Sequence, residues 1–169
     1  MNSLFNIWML PILFILHDFE EIIFVPLWKK KHQQALEKLK TPFFGATTNG
    51  SAFATGVLEE FVILLLISAI CQMTQNDLLY LSFVLAYTSH FIMHYVMCFK
   101  FKGYVPGVVT VTLQIPLVLL IITHYWHVIY SIPVFIMSLV LTMAVVYANL
   151  VIMHRIMPKI QYIMEDYTK

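Results

Sequence analysis

Apolar residues collect in five long runs, at about 4–28, 52–73, 78–99, 105–123 and 129–153, with short polar segments between them. Each run is long enough to cross a hydrocarbon core of ~30 Å as a helix. The pattern predicts an all-α integral membrane bundle of five transmembrane helices, forming one domain over residues 1–169. The connecting segments then sort by charge. Lys29, Lys30, Lys31, Lys38 and Lys40 lie between the first and second runs, and Lys100 and Lys102 between the third and fourth. Arg155, Lys159 and Lys169 follow the fifth, and the opposite side has no lysine or arginine. The positive-inside bias places the N-terminus outside and the C-terminus in the cytoplasm.

Composition excludes an ordinary soluble domain: 60% of residues are hydrophobic and 11% charged, with a mean hydropathy of +0.82. Outside the first cytoplasmic loop there is no basic patch of nucleic-acid character, so the expected partner is the lipid bilayer. The N-terminal run lacks a basic leader and a small-residue cleavage site, and reads as a retained helix. Cys71 falls near the outer end of the second run and Cys98 near the inner end of the third, so the two are not expected to pair. The compact layout is read by default as that of a bacterial plasma-membrane protein. Oligomeric state is not legible.

Local signals refine the picture. Ala35, Leu36 and Leu39 stand at helical spacing within the basic segment 29–40. That segment is either a short helix on the inner leaflet, drawn there by about 1 kcal/mol per basic residue, or a solvated loop. Pro42, Gly45, Asn49 and Gly50 break it. Ser51, Ala52, Thr55 and Gly56 are small residues about four apart, a pattern that lets another helix approach closely. Pro116 is expected to kink the fourth span.

The chemistry lies in polar residues inside the apolar runs. On a helix, His17, Glu20 and Glu21 fall within a wedge of roughly 100°, with Asp18 about 60° outside it. Each ionised acid at mid-depth costs ~2.5–3.5 kcal/mol, and about sixteen apolar residues returning ~0.3–0.6 kcal/mol each barely offset the three. No lysine or arginine lies within the spans to compensate, which leaves a proton or a metal ion. Depth brings further groups to the same layer. Glu21 lies roughly 12 Å before the lysines on the helix rise, Glu59 and Glu60 about as deep, and His94 and His90 roughly 9 and 15 Å from Lys100. Asn149 is comparably placed before Arg155. His90 and His94 share one helix face at a spacing that suits two ligands of one cation. The candidate metal ligands are His17, Glu21, His90 and His94, for zinc or iron. Glu20, Glu60 and Tyr104 are candidate catalytic groups. A proton-sharing network accounts for the same residues.

Tyr104, Pro106 and Gly107 open the fourth span. Proline suits the first helical position, and glycine leaves the helix N-terminus bare, so that its N–H groups can face an anion or a developing oxyanion. Pro106, Gly107 and Asn149 are the candidate substrate-binding residues. The plainer reading of Tyr104–Gly107 is a helix-start signal with an interfacial tyrosine. His124 and His127 read as interfacial, and His32 and His154 as solvated.

The string His17-Asp18-Phe19-Glu20-Glu21, the later His90 and His94, and Tyr104-Val105-Pro106-Gly107 resemble the HXXEE family of small multi-pass membrane proteins. The hydrophobic layout is similar nearly end to end. The resemblance implies that His17, Glu20, Glu21, a histidine of the third span, Tyr104, Pro106 and Gly107 are characteristic positions, with Glu59-Glu60 matching a further Glu-Glu pair. It implies no substrate and no reaction. A looser likeness connects the chain to intramembrane glutamate proteases of the CAAX-processing type, but Leu64 stands where their Glu-Glu motif expects arginine.

Three functions fit these observations. One is a metal-dependent intramembrane hydrolase acting on a lipid or membrane peptide, with histidines and carboxylates holding a metal or activating water. Another is a proton- or metal-coupled transporter, for which the outer half offers few polar groups beyond Gln72, Thr112 and Gln114. The third is a non-catalytic accessory protein whose polar layer only locks the helices together.

Overall fold

A computed structural model describes residues 5–39 and 43–167. The expectations that rested on Leu4, Lys40, Pro42 and Lys169 lie outside the described residues. Every regular element among the described residues is helical: α1 (Met9–Lys31), a single turn α2 (Gln33–Leu36), α3 (Gly50–Thr74), α4 (Asp77–Phe101), α5 (Val108–Tyr125) and α6 (Ile132–Tyr167). Local chemistry sets the ends. Asn49 accepts the amide of Ser51 at 2.8 Å and starts α3, and Asn76 accepts that of Leu79 at 3.0 Å and starts α4. Gln75 and Lys102 close these two helices in the left-handed conformation. Lys29, Lys30 and Lys31 occupy the last turn of α1, where the helix dipole favours cations.

Among the described residues four helices are long and apolar enough to cross a membrane: α3, α4, α5 with the 3-10 turn that follows it, and α6. α1 is not among them. It has the length, but Asp18, Glu20 and Glu21 interrupt its apolar run. Its two ends nevertheless mark the full height of the bundle. Trp8 Nε1 donates to Gln72 Oε1 at 2.7 Å near the last turn of α3, and Trp28 Nε1 donates to the Tyr104 carbonyl at 3.0 Å just before α5. Much of α1 is buried, including His17, Asp18, Glu20 and Glu21.

Several expected boundaries shift. α5, the helix of the fourth apolar run, starts at Val108 and not at Pro106, because Val105–Val108 is a tight turn. The Val108 amide donates to the Val105 carbonyl at 3.2 Å, and Gly107 has φ 89° and ψ −21°. Proline at the second position and a positive-φ glycine at the third are the marks of a type II turn. The last helix runs on to Tyr167 instead of ending near Met153. Its 36 residues give a rod of about 54 Å, so the helix continues well past the end of the apolar run. The extension holds the 43–49 loop: Gln161 Nε2 donates to Thr48 Oγ1 at 3.0 Å, and the Thr48 amide donates to Gln161 Oε1 at 2.9 Å.

The small residues of α3 do admit close neighbours. A β-carbon on Gly56 would lie 2.6 Å from Met157 Sδ of α6, and one on Gly50 would lie 3.1 Å from the Ile22 carbonyl of α1. α6 packs along α4 and α3 with one face and leaves the rest open, so of its described residues only Thr142, Met153 and Met157 are buried. Cys71 and Cys98 are both free.

Candidate metal centre

His17 and Glu21 are four apart on α1, and His90 and His94 four apart on α4, so each pair shares a helix face. The two faces meet. Nε2 of His94 lies 3.2 Å from Glu21 Oε1, Nε2 of His17 3.5 Å and Nε2 of His90 3.9 Å. The His90 and His94 Nε2 atoms stand 2.9 Å apart. Ligands placed ~2.0–2.1 Å from a tetrahedral centre stand about 3.3 Å from one another, which these separations bracket. One ligand atom from each of the four residues lies within 4.8 Å of all the others.

The hydrogen bonds behind the rings fix what the rings present. Nδ1 of His94 lies 2.9 Å from the Pro106 carbonyl. A carbonyl only accepts, so Nδ1 carries the proton and Nε2 turns a lone pair inward. Nδ1 of His17 lies 3.0 Å from Thr110 Oγ1. The one hydroxyl proton of Thr110 goes to an acceptor, Glu20 Oε2 at 2.6 Å or the Gly107 carbonyl at 3.0 Å. Thr110 therefore accepts from His17, and His17 also turns a lone pair inward. Nε2 of His17 and Oε1 of Glu21 are buried without a hydrogen-bond partner. Lone pairs thus converge on a carboxylate in a site where His17, Glu21 and His94 are at most 4% exposed. A cation at the centre satisfies all of them.

The Tyr104–Gly107 motif is the support of this cluster. Pro106 supplies the carbonyl that orients His94. A β-carbon on Gly107 would lie 2.7 Å from His17 Cε1, and it would also collide with the His94 ring. Glycine is therefore required twice, for its positive φ and for the two imidazoles packed on it. Glu20, the other acid of the pair, faces away from the cluster. It accepts from Tyr104 Oη at 2.8 Å, from the Thr110 amide at 2.8 Å and from Thr110 Oγ1, and it sits 3.4 Å from the Val109 amide. Of the two expected occupants, an anion or a developing oxyanion, the N-terminus of α5 faces an anion, the chain's own Glu20 carboxylate.

A cavity of about 390 Å3 opens beside the cluster, between α1, α3, α4 and α6. His17, Asp18, Glu21, Glu60, His90 and Asn149 all line it. The side chain of His90 is 36% exposed and is the most open of the four candidate ligands. Asn149 Nδ2 donates to Glu59 Oε2 at 3.1 Å and ties α6 to α3.

Three supporting groups were not singled out as site residues in the sequence. Thr110 links His17 to Glu20. Lys29 is buried and donates to the carbonyls of Phe44 at 2.9 Å, Gly45 at 2.8 Å and Thr47 at 2.5 Å, fixing the loop whose Phe43 and Phe44 line the cavity. Gln114 Nε2 donates to the Leu13 carbonyl at 2.9 Å, and the one hydroxyl proton of Tyr87 goes to Gln114 Oε1 at 2.6 Å or to the same Leu13 carbonyl at 3.1 Å. Only a lone threonine in the first turn of an apolar helix, and a lysine at the end of one, signalled the first two.

A buried cluster of histidines and a glutamate in an all-helical bundle with membrane-spanning helices defines the class of protein. Residues 8–121 match the family described as "Protein of unknown function with HXXEE motif", and the chain belongs to that family. No curated protein and no solved structure matches the chain significantly. The matched region holds all four candidate ligands and the Tyr104–Gly107 turn, and ends before α6.

Proposed function

We propose that the protein is a metal-dependent intramembrane hydrolase, with His17, His90, His94 and Glu21 holding one divalent ion, zinc or iron. The observation that carries this reading is the pair of buried, partnerless atoms His17 Nε2 and Glu21 Oε1, facing each other at 3.5 Å beside a second inward-turned imidazole. A bound ion would polarise a carbonyl or lower the pKa of water toward 7. Glu60, on the cavity wall, accepts the proton that water releases. In the reaction, water's oxygen bonds to the acyl carbon, the bond from that carbon to the leaving oxygen or nitrogen breaks, and the proton passes to the leaving group. Glu20 and Tyr104 act as positioning residues, holding α5 and hence Pro106 and Gly107 against the ligands.

In this reading the bundle crosses the membrane five times. The indole contacts at either end of α1 favour a full crossing, and burial of its acids against α3, α4 and α5 removes the obstacle to insertion. The N-terminus is outside and the lysine-rich ends face the cytoplasm, in a plasma membrane of bacterial type. A transport pathway is disfavoured because Tyr87 and Gln114 close on the Leu13 carbonyl one turn above His17. Metal analysis of protein purified without a metal-affinity tag tests the proposal. One ion per chain, lost in both His17→Ala and His94→Ala, is expected. A folded chain without stoichiometric metal overturns it and leaves the accessory role.

A further inference from the structure

The cavity beside the ligands also carries information about its occupant, an inference that rests on the metal-site reading above. Its volume, about 390 Å3, is in the lower part of the range for sites that hold small organic ligands. Asp18, Glu21, Glu60 and His90 all line the cavity, and two of them, Glu21 and His90, belong to the ligand cluster. Elsewhere the walls are side chains such as Phe53, Val57, Leu64, Phe83, Met93 and Leu150. Met93 and Val145 line the cavity and are also 41% and 61% exposed, so its mouth lies on the apolar flank of the bundle.

Charge narrows the headgroup. Among the described residues no lysine or arginine lines the cavity, and Lys29 is occupied by three loop carbonyls. The acidic side chains on its wall are Asp18, Glu21 and Glu60, so apart from the ion itself nothing described there offers a fixed positive charge to a phosphate or a free carboxylate. Asp18 is 7% exposed and lines the cavity, and its Oδ2 has no hydrogen-bond partner. A buried polar atom of this kind requires a hydrogen-bonding partner, and a hydroxyl, donor and acceptor in one, supplies it. Backbone chemistry narrows the tail. A peptide needs partners for its N–H and C=O groups. The long walls of this cavity are helices, whose backbone groups are already paired. An alkyl chain needs none.

We infer that the cavity takes a single-chain, uncharged, hydroxyl-bearing ester lipid of the monoacylglycerol class. Its hydroxyls face Asp18 and Glu60, its ester lies at the ligand cluster, and its chain runs between α3, α4 and α6.

The test uses the full chain in detergent, with metal content measured in each sample, and native mass spectrometry with monopalmitoylglycerol, palmitate and palmitoyl lysophosphatidate. The expected result is retention of monopalmitoylglycerol, with the two anionic lipids bound about tenfold more weakly. Ala86→Trp and Leu150→Trp, both on the cavity wall, should abolish retention while the metal stays. Equal or tighter binding of either anionic lipid overturns the inference. So does undiminished retention in both tryptophan variants, or displacement of the lipid by an apolar helical peptide at equal concentration. If the variants lose their metal through misfolding, the ranking of the three lipids on the unmodified chain still decides. Metal without lipid binding sinks this inference alone. Selective lipid binding without metal sinks the hydrolase reading and keeps the pocket.

Discussion

Glu20 and Glu21 are adjacent in the chain and serve different neighbours around one helix. Glu21 turns Oε1 to within 3.2 Å of His94 Nε2, while Glu20 accepts the Thr110 amide at 2.8 Å at the start of α5. One acid faces the cluster and its neighbour anchors the helix that positions the cluster. The two substitutions should therefore separate. Glu21→Gln is expected to lose the metal with little change in fold. Glu20→Gln should keep measurable metal but destabilise the bundle by about 1–3 kcal/mol, because an amide nitrogen replaces one oxygen of a carboxylate bonded to Thr110 and Tyr104. Metal content and thermal unfolding of both variants, measured side by side, check this. Equal metal loss in the two would mean that Glu20 is itself a ligand.

Much of this arrangement was legible in the chain, for a definite reason. Helical spacing fixes which residues share a face, so His17 with Glu21, and His90 with His94, followed from counting alone. Depth followed from distance to the flanking lysines. The division of labour between Glu20 and Glu21 did not follow, since a 100° turn puts both within one wedge, and only the position of α5 decides which side each serves. The same holds for Pro106 and Gly107. They read as a helix start, but the structure makes them a type II turn, because Gly107 is packed beneath two imidazole rings and adopts φ 89°. The long reach of α6 was missed because hydropathy tracks the membrane boundary and not the end of the helix.

Gly107→Ala is the sharpest test of that turn. The added β-carbon would lie 2.7 Å from His17 Cε1, in a conformation that L side chains rarely adopt. Overpacking and the positive φ together should cost about 2–5 kcal/mol. The ligand rings cannot both keep their places, so metal affinity should fall about 10–100-fold, the usual effect of disturbing a ligand's support. Competition with a chromophoric chelator measures this. A variant that binds metal as tightly as the parent would show that the rings do not rest on residue 107.

Lys29 predicts an effect on the loop. Its ammonium group joins the end of α1 to three carbonyl acceptors, on Phe44, Gly45 and Thr47. Lys29→Met keeps the aliphatic stem and removes the donor. Charged hydrogen bonds of this kind contribute about 1.5–3 kcal/mol, so amides of residues 43–49 should exchange with solvent at least about tenfold faster. Metal content should not change, since Lys29 touches none of the four candidate ligands. Hydrogen exchange read by mass spectrometry supplies the measurement. Unchanged protection would show that Gln161, which contacts Thr48 from α6, is sufficient to hold the loop.

The number of crossings is open to a direct test as well. If α1 spans the membrane, residues before it and residues at the end of α6 lie on opposite sides, since α1, α4 and α6 run one way and α3 and α5 the other. In a chain whose Cys71 and Cys98 are first replaced by Ser or Ala, a single cysteine is introduced as Asn6→Cys or as Asp166→Cys. Both positions are exposed. A membrane-impermeant thiol reagent applied to intact cells should label the first and not the second, and opened membranes should expose both. Labelling of neither in intact cells, with both labelled after opening, would place the two ends on the cytoplasmic side. α1 would then be a re-entrant or surface helix, and its acids would reach the cluster through water instead of from within the bilayer.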